Sequence, residues 1–400
     1  MSALLDPSVK RSSSELVGIG DRVLASTYSR PDTLFVDGEG AYLIDASGER
    51  YLDMTSGIAV TSLGHRSPVV ASAMRDAADR LGHTSNLYHT ADPIRLAELL
   101  VESSFADRVF FCNSGAEAVE GAIKFARLSA APRQRILYLG GSFHGRTFGA
   151  LASTDKEAIR RPFEPLPTRF ERIDWDDPAG LDRIDESVAA VIAEPIQGEG
   201  GIRVPPSHWL SDLRRRCDAT GALWIADEIQ CGVGRSGDLW AHQASDVTPD
   251  LMTLAKPLAN GLPIGAVLMT EAGASYLYPG CHGTTFGGGP FVTRVARAVF
   301  ETIRDPEFLC AVRQKAGRLR CRLESLHHPA ILEVRGRGLM LGLKVSVDVA
   351  ALVARALAHR LLVVGAGENT VRLLPALNAS DEDLSEAVVR LRRALDEVTS

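Results

Sequence analysis

The stretch PDLMTLAKPLANGLPIGAVLM, residues 249–269, places one cation, Lys256, directly after the apolar run LMTLA. Its only other charged residue is Asp250. A short apolar run followed by a proline- and glycine-rich loop is typical of a strand inside a sheet. Lysine is rarely buried without a partner, because its ammonium group is costly to remove from water. The stretch therefore predicts a strand that delivers a lysine to one edge of a sheet.

Two interpretations of Lys256 are open from this stretch. In the first, the side chain extends along apolar surface and reaches solvent. In the second, it stays out of water, loses basicity and acts as a nucleophile toward carbonyl groups. The pattern around each of the other lysines predicts a surface position, and these residues are Lys10, Lys124, Lys156, Lys315 and Lys344.

Further apolar runs of strand length alternate with helical segments along the chain. Together with residues 251–255, they are RVFFC (108–112), RILYL (135–139), VAAVIAE (188–194) and ALWIADE (222–228). Strands this uniformly apolar are typical of the inside of a parallel sheet that helices cover on both faces. The predicted fold class is therefore α/β, and ligands are expected at the carboxyl ends of the strands.

Two other regions have a different pattern. Residues 34–54, LFVDGEGAYLIDASGERYLDM, predict a small antiparallel meander, because Asp-Gly and Ser-Gly divide short apolar runs. After about residue 305, helical segments surround the strand pair RGRGLMLGLKVSV and TVRLLPAL, which is typical of a smaller domain. We expect an N-terminal segment (1–50) that joins the small domain, a large domain (51–304) and a C-terminal small domain (305–400).

Composition excludes several classes of function. The 400 residues carry a net charge of −6, which argues against general nucleic-acid binding, and no apolar run is long enough to span a membrane. The N-terminal residues include acidic side chains, so we expect no targeting segment and a cytoplasmic protein. The six scattered cysteines are typical of free thiols in a reducing compartment. No His or Cys cluster has metal-ligand spacing, so we expect no metal.

Polar residues follow the predicted strands and are expected at one edge of the sheet. Gly115 begins a helix whose free backbone N–H groups favour a phosphate, although an N-cap by Asn113 or Ser114 explains the same residues. Asp227 ends an uncharged run, either as a turn cap or as the partner of a cation. A lysine for a carbonyl, an acid for a protonated ring nitrogen and a helix start for a phosphate are the requirements of pyridoxal phosphate.

Six stretches of the chain carry a resemblance to one enzyme family. In order, they are FFCNSGAEAVEGAIKFAR, SFHGRTFGAL, AEPIQGEGG, ADEIQCGVGRSG, LAKPLANGLPIGA and HGTTFGG. They resemble the class III pyridoxal-phosphate-dependent aminotransferases, most of all the acetylornithine aminotransferases, from about residue 30 to the C-terminus. The resemblance implies the type I fold of these transferases, with a mostly parallel seven-stranded sheet in the large domain and a smaller α+β domain.

The resemblance also implies a role for residues at the strand ends. Lys256 would bind the cofactor covalently, Asp227 would pair with its ring nitrogen, and Glu194 would support it from the adjacent strand end. Phe143 and Ile229 would pack on the two ring faces, and other residues would contact the phenolic oxygen and the phosphate. The implied cofactor-binding set is Ser114, Gly115, Ala116, Phe143, His144, Asp227, Ile229, Gln230, Lys256, Thr284 and Thr285.

Four further positions concern the substrate. Arg372 and Arg146 match family positions that bind carboxylates, which indicates glutamate and 2-oxoglutarate, although both arginines can instead serve surface pairs. Glu199 matches the residue that neutralises Arg372 in the other half-reaction. Ile58 stands where ornithine aminotransferases have a tyrosine that contacts a free α-amino group. The implied reaction moves the terminal amine of N-acetylornithine, or a related ω-amino acid, to 2-oxoglutarate, giving glutamate and a semialdehyde.

A homodimer is implied as well, because Thr285 matches a position that reaches the cofactor phosphate of the partner subunit. Two positions depart from the family pattern: Gly289 replaces an asparagine, and Ala376 replaces the second residue of a Pro-Pro pair. Both can alter the substrate entrance, so they bear on the substrate more than on the reaction class.

Alternative functions remain open on the sequence. Ornithine, 4-aminobutyrate, succinylornithine or a secondary-metabolism amine can replace the donor, and mutases, racemases and decarboxylases share the fold. GVGRSG (232–237) fits the loop of a nicotinamide-dependent dehydrogenase, but EIQC precedes it and no apolar helix follows directly. GGSFHG lacks the last glycine of a serine hydrolase motif. A non-catalytic binding protein would not need Lys256 and Asp227 together.

Overall fold

The computed structural model describes residues 12–177 and 179–399. The strands are β1 (Phe35–Glu39), β2 (Tyr42–Asp45), β3 (Arg50–Asp53), β4 (Arg108–Cys112), β5 (Arg135–Leu139), β6 (Phe170–Ile173), β7 (Val188–Ala193), β8 (Leu223–Asp227), β9 (Leu251–Leu254), β10 (Gly265–Met269), β11 (Ile331–Arg337), β12 (Met340–Val345), β13 (Leu361–Leu362), β14 (Val364–Ala366) and β15 (Thr370–Leu373).

The helices are α1 (Ser13–Val23), α2 (Ser56–Ala59), α3 (Pro68–Ala78), α4 (Ala91–Glu102), α5 (Gly115–Ser129), α6 (Phe148–Ala152), α7 (Glu157–Arg160), α8 (Trp209–Thr220), α9 (Glu271–Ala274), α10 (Pro290–Ile303), α11 (Pro306–Glu324), α12 (Val349–Ala358) and α13 (Asp381–Thr399). Short 3-10 segments lie at Arg161–Phe163, Leu181–Arg183, Ala241–Ser245 and Lys256–Ala259. None of the helices in the described ranges is long and apolar enough to cross a membrane.

The central sheet positions the site. Its order is β4-β10-β9-β8-β7-β5-β6, and β10 is antiparallel to both of its neighbours, whereas the other pairs are parallel. Two successive antiparallel pairings restore the strand direction, so β4 runs the same way as β9. The carboxyl ends of five predicted strands therefore share one edge. The predicted α/β class, with a mostly parallel seven-stranded sheet, is confirmed.

Two features of this sheet differ from the strand predictions. β6 and β10 were not predicted as separate members of the sheet. In addition, β4 lies at the edge and pairs only with β10, so the prediction that RVFFC lies inside a parallel sheet is wrong. The apolar side chains of β4 have a different explanation, because Phe110 packs edge-to-face on Phe125 of α5 at 5.4 Å between ring centroids.

Helices cover both faces of the central sheet. Because side chains alternate along a strand, Ile225 packs on the face that α5 covers, whereas its neighbour Trp224 packs on the face that α8 covers. α5 buries Val119 and Ile123 against the sheet. The rigid packing on both faces holds the strand ends at fixed distances from one another.

One of the other two sheets joins the two ends of the chain, and the second is built from C-terminal strands. The first of these sheets has the order β1-β2-β3-β13. Its first three strands form the predicted antiparallel N-terminal meander, and β3 pairs in parallel with β13. The order β11-β12-β15-β14 is antiparallel throughout. The boundaries at residues 50 and 305 stay predictions. The expectation about a targeting segment falls partly on residues 1–11, which include Lys10 and lie outside the described residues.

Candidate active site

A cavity of about 260 Å³ lies at the carboxyl edge of the central sheet. Residues from several distant segments line it, and all of them except Gly145 belong to the predicted site. They are Gly115, Ala116, Phe143, His144, Gly145, Arg146, Glu194, Asp227, Ile229, Gln230 and Lys256. The fold therefore brings together the chemical groups that the strand ends were expected to provide.

Lys256 follows β9 by two residues and begins a 3-10 segment, and its partly accessible side chain lines the cavity. Its Nζ makes no hydrogen bond or ion pair with any residue that the structure describes. Burial lowers the pKa of Lys256, and the charge of Arg372 lowers it further, although Glu199 opposes the shift. Lys256 therefore gives up its proton more readily than an exposed lysine does, which favours the nucleophilic interpretation.

Asp227 is buried at the end of β8 and has a fixed orientation. Its Oδ1 accepts hydrogen bonds from Oγ1 of Thr253 at 3.0 Å and from the backbone N–H of Ile229 at 3.1 Å. Its Oδ2 lies 2.6 Å from Nδ1 of His144, whose Nε2 is buried and has no partner within residues 12–177 and 179–399. The contact with His144 was not predicted, because the two residues are 83 positions apart.

Glu194 lies directly after β7 and joins two loops at the cavity wall. Its Oε1 accepts from the backbone N–H of Phe143 at 2.9 Å, and its Oε2 accepts from that of Gly198 at 3.0 Å. Burial raises the pKa of Glu194 to about 7, and the nearby charge of Asp227 adds to this effect. Glu194 therefore titrates near neutral pH and holds the loop that carries Phe143.

The N-terminus of α5 reaches the cavity with free donors. Ser114 is the N-cap, and its side chain accepts from the backbone N–H of Glu117 at 3.2 Å. The backbone N–H groups of Gly115 and Ala116 have no acceptor among the described residues. A side chain at Gly115 would place its Cβ 2.9 Å from Cδ1 of Ile229. Capping by Ser114 therefore occurs together with an anion-binding arrangement at the helix start.

A second charged cluster centres on Arg372 of β15, which is 1% exposed. Its Nη1 donates to Oε1 of Glu199 at 2.5 Å and to Oε1 of Gln230 at 3.1 Å, and its Nη2 donates to the carbonyl of Gly365 at 3.3 Å. Lys156 contacts Oε2 of Glu199 at 3.2 Å, an ion pair that the predicted surface position did not include. Although burial opposes the shift, Arg372 and Lys156 lower the pKa of Glu199.

Arg146 and Ile58 occupy different environments. Arg146 is exposed and lines the cavity, with its guanidinium carbon 5.7 Å from the ring centroid of Phe143. Ile58 has a left-handed backbone (φ 66°, ψ 62°) and packs against a buried apolar cluster that includes Ile196 and Leu374. Ile58 therefore contributes an apolar surface with no hydrogen-bonding side chain.

Thr284 and Thr285 do not line the cavity of their own chain. Oγ1 of Thr284 accepts from Nδ2 of Asn113 at 3.0 Å, just before the N-cap of α5. Thr285 is exposed and lines a separate cleft together with Gly289, one of the two departures from the family pattern. The other departure, Ala376, is buried.

The GVGRSG stretch forms a loop and does not connect a strand directly to a helix. Arg235 within it is completely buried and donates to the carbonyls of Leu339 at 3.0 Å and Pro375 at 2.6 Å. Burial lowers the pKa of Arg235 to about 9. This arginine, which was not predicted as a structural residue, ties the loop to the C-terminal region. The described residues also contain no group of three or more potential ligands placed to hold a metal ion.

This chain is similar to known proteins over most of its length. Residues 24–395 match the family Aminotransferase class-III. Acetylornithine aminotransferase of Rhodobacter capsulatus is 46% identical over 377 residues, which cover 92% of this chain and 96% of that protein. Acetylornithine aminotransferase of Streptomyces coelicolor is 43% identical and covers 96% of both chains.

Solved structures extend the similarity to the fold. Ornithine aminotransferase of Toxoplasma gondii superposes with a TM-score of 0.94 at 30% identity and covers 98% of this chain and 97% of its own. N-acetylornithine aminotransferase of Stenotrophomonas maltophilia superposes with a TM-score of 0.82 at 36% identity and covers 95% of this chain and 98% of its own. This chain therefore belongs to the class III aminotransferases, a family of enzymes that depend on pyridoxal phosphate.

Proposed function

We propose that this protein uses pyridoxal phosphate to transfer the terminal amino group of N-acetylornithine to 2-oxoglutarate. The observation that carries the proposal is a single cavity faced by Lys256, by the fixed carboxylate of Asp227 and by the free N–H groups at the start of α5. The similarity to acetylornithine aminotransferases over more than nine-tenths of the chain supports the choice of donor.

The residues present fit this cofactor. A lysine of lowered pKa suits a carbonyl group, and a buried carboxylate suits a protonated ring nitrogen. The unpaired N–H groups of Gly115 and Ala116 suit a phosphate, and the absent side chain at Gly115 leaves room beside Ile229. When bound, pyridoxal phosphate supplies a carbonyl that condenses with amines and a ring that accepts an electron pair.

The protein side of the reaction consists of proton transfer and orientation. Nζ of Lys256 would take a proton from the substrate carbon and return it at the end of the transfer. Asp227 would hold a proton at the ring nitrogen, and its contacts with His144 and Thr253 keep the carboxylate in one orientation. Phe143 and Glu194 would form the adjoining wall, because Glu194 accepts from the backbone of Phe143.

The second cluster suits two substrates that differ in charge. Glutamate has a carboxylate beside its reacting amine, which Arg372 would bind, and Arg146 would bind the distal carboxylate. The terminal amine of N-acetylornithine has no adjacent carboxylate, so Glu199 would neutralise Arg372 during that half-reaction. The Arg372–Glu199 contact is the arrangement that the second substrate needs.

The donor can be tested by comparing specificity constants of the holoenzyme for N-acetylornithine, succinylornithine, ornithine and 4-aminobutyrate. We expect N-acetylornithine to exceed ornithine and 4-aminobutyrate by about tenfold or more, because the apolar Ile58 offers no hydrogen bond to a free α-amine. Ile58→Tyr should shift the preference toward ornithine. A wild-type preference for ornithine would replace the proposed donor with the substrate that the name of the Toxoplasma gondii enzyme states.

We also propose a homodimer in which Thr285 of each subunit reaches the partner's cofactor phosphate. In support, Thr285 is exposed, and its two neighbouring clefts include the large side chains of Leu87 and Tyr88, which are 84% and 72% exposed. Apolar surface of this kind is typical of an interface. Light scattering should find a dimer under assay conditions, and a fully active monomer would exclude shared sites.

A cytoplasmic location belongs to the same proposal. All six cysteines lie in described residues and are free thiols, and three of them are buried. Free thiols are typical of reducing compartments. Cell fractionation with an antibody against the protein should recover it with soluble cytoplasmic markers, and recovery in an oxidising compartment would contradict the proposal.

A further inference from the structure

Glu199 contacts two cations, and only Arg372 was expected. Oε1 of Glu199 accepts from Arg372, whereas Oε2 lies 3.2 Å from Nζ of Lys156. The three side chains differ in accessibility, since Lys156 is 33% exposed, Glu199 is 18% exposed and Arg372 is 1% exposed. Glu199 therefore bridges a buried cation and a cation closer to solvent.

Lys156 does not line the cavity, but the residues before it are attached to the loop that does. Oγ1 of the buried Thr154 accepts from the backbone N–H of His144 at 2.9 Å. Oδ2 of Asp155 accepts from the backbone N–H of Gly141 at 2.7 Å. These contacts attach the two residues before Lys156 to the loop that follows β5. Nζ of Lys156 also lies 5.9 Å from the ring centroid of Phe143, so the lysine faces the site.

The backbone of Glu199 is held in place, and its side chain contacts both cations. Its carbonyl accepts from the backbone N–H of Gly367 at 2.9 Å. A carboxylate on a fixed backbone can exchange one cation for the other by rotation of side-chain bonds alone. Such a movement is faster and less costly than a rearrangement of the loop.

We propose that Lys156 is a positioning residue that retains Glu199 when Arg372 binds the carboxylate of glutamate or 2-oxoglutarate. This inference rests on the proposed function. If Glu199 separated from Arg372 and had no other cation beside it, its negative charge would be poorly compensated in a largely buried site. Lys156 removes part of that cost, so it favours the glutamate half-reaction without contacting glutamate.

The expected effect is selective. Lys156→Met should raise the half-saturating concentrations of glutamate and 2-oxoglutarate by about three- to tenfold, as is typical of a partly exposed ion pair. The N-acetylornithine half-reaction should keep its rate and half-saturating concentration, because Glu199 stays on Arg372. Lys156→Arg should restore the glutamate half-reaction, since it keeps a cation at this position.

Stopped-flow absorbance of the holoenzyme can follow each half-reaction separately, with thermal unfolding as a check on folding. Lys344→Met is a matched control, because Lys344 is 38% exposed and lies 4.0 Å from Glu368, outside the cavity. Selective loss with Lys156→Met, rescue by Lys156→Arg and no change with Lys344→Met would support the inference.

Two outcomes would overturn it. Equal losses in both half-reactions without rescue by arginine would indicate a structural role. If Lys156→Met leaves both half-reactions unchanged, while Arg372→Ala and Glu199→Ala still affect them unequally, the inference fails but the proposed function stands. If those two variants also fail to separate them, the proposed function fails together with the inference.

Discussion

Two charged clusters, one that lines the cavity and one that contacts its lining residue Gln230, are built in opposite ways. In the first cluster, the Asp227 carboxylate has three partners, His144, Thr253 and the backbone of Ile229, and is 3% exposed. In the second, Glu199 joins a buried arginine to a partly exposed lysine. The first carboxylate is therefore fixed by its partners, whereas the second is shared between two cations.

This difference matches two kinds of task. A carboxylate held by three partners resists reorientation and keeps an acceptor site for a ring nitrogen, so it suits a charge that stays the same throughout the reaction. A carboxylate between two cations can shift when a competing anion arrives, so it suits a site that receives substrates of different charge. We therefore expect changes in the first cluster to affect both half-reactions and changes in the second to affect one.

The largest effect is expected at Lys256, which serves both half-reactions. Lys256→Ala should lower turnover by about 10⁴-fold or more, because it removes both the nucleophile and the proton carrier. Steady-state kinetics would measure the loss, with Lys344→Ala as a control for a lysine outside the cavity. Borohydride reduction followed by peptide mass analysis should locate the cofactor on Lys256. An adduct on another lysine would exclude the assignment.

Asp227→Asn tests the first cluster, in which the carboxylate is fixed by its partners. We expect both half-reactions to slow by a similar factor of about 10²–10⁴, because an amide holds the ring-nitrogen proton poorly. Single-turnover absorbance with each substrate would measure the two factors. Asp250→Asn is a matched control, because Asp250 pairs with Arg214 at 2.7 Å just before β9, at the opposite edge of the sheet. Strongly unequal factors for Asp227→Asn would contradict the constant role.

Arg372→Ala tests the second cluster, in which Glu199 is shared between two cations. We expect the efficiency of the glutamate half-reaction to fall by about 10- to 100-fold, because the substrate carboxylate loses its buried cationic partner. The efficiency of the N-acetylornithine half-reaction should change much less. The same stopped-flow assay measures both. Arg335→Ala is a suitable control, because Arg335 is also largely buried but pairs with Glu333 and Glu368 outside the cavity. Equal losses for Arg372→Ala would remove the distinction between the clusters.

The smallest effect on turnover is expected at Glu194, whose contribution to stability depends on pH. Its pKa is about 7 in the folded protein and about 4.5 when unfolded, so the folded state binds more protons between these values. Stability should therefore fall as pH rises through this window. Glu194→Gln cannot ionise, so between pH 5 and pH 8 its stability should fall by about 1–3 kcal/mol less than that of wild type. Urea unfolding would measure this difference, and parallel pH profiles would contradict it.

Much of the site could be predicted because buried charge is rare. Lys256 and Asp227 each end an uncharged run, and such positions draw attention in a sequence of ordinary composition. Strands that run in one direction share an edge whatever their order, so their ends could be grouped without knowledge of the sheet. The roles of Arg372, Glu199 and Ile58 came instead from resemblance to the family.

Other features depended on neighbours that local patterns do not report. A run of apolar residues indicates burial but does not identify the partner strand. The position of Phe110 in an edge strand therefore could not be predicted. Polar residues flank Lys156 in the sequence, so the pattern indicated solvent, although the fold turns its side chain toward Glu199. The sequence assigned no role to Arg235, whose donors bind backbone carbonyls more than 100 positions away.

The sequence was sufficient to place Lys256 and Asp227 at the ends of buried strands, because hydrophobic periodicity records burial along the chain. It did not establish which charges meet. Glu199 is 43 positions from Lys156 and 173 positions from Arg372, and each contact depends on how the sheets and loops pack. Distances between segments follow from the whole backbone, so the pairing of Glu199 with two cations became visible only in three dimensions.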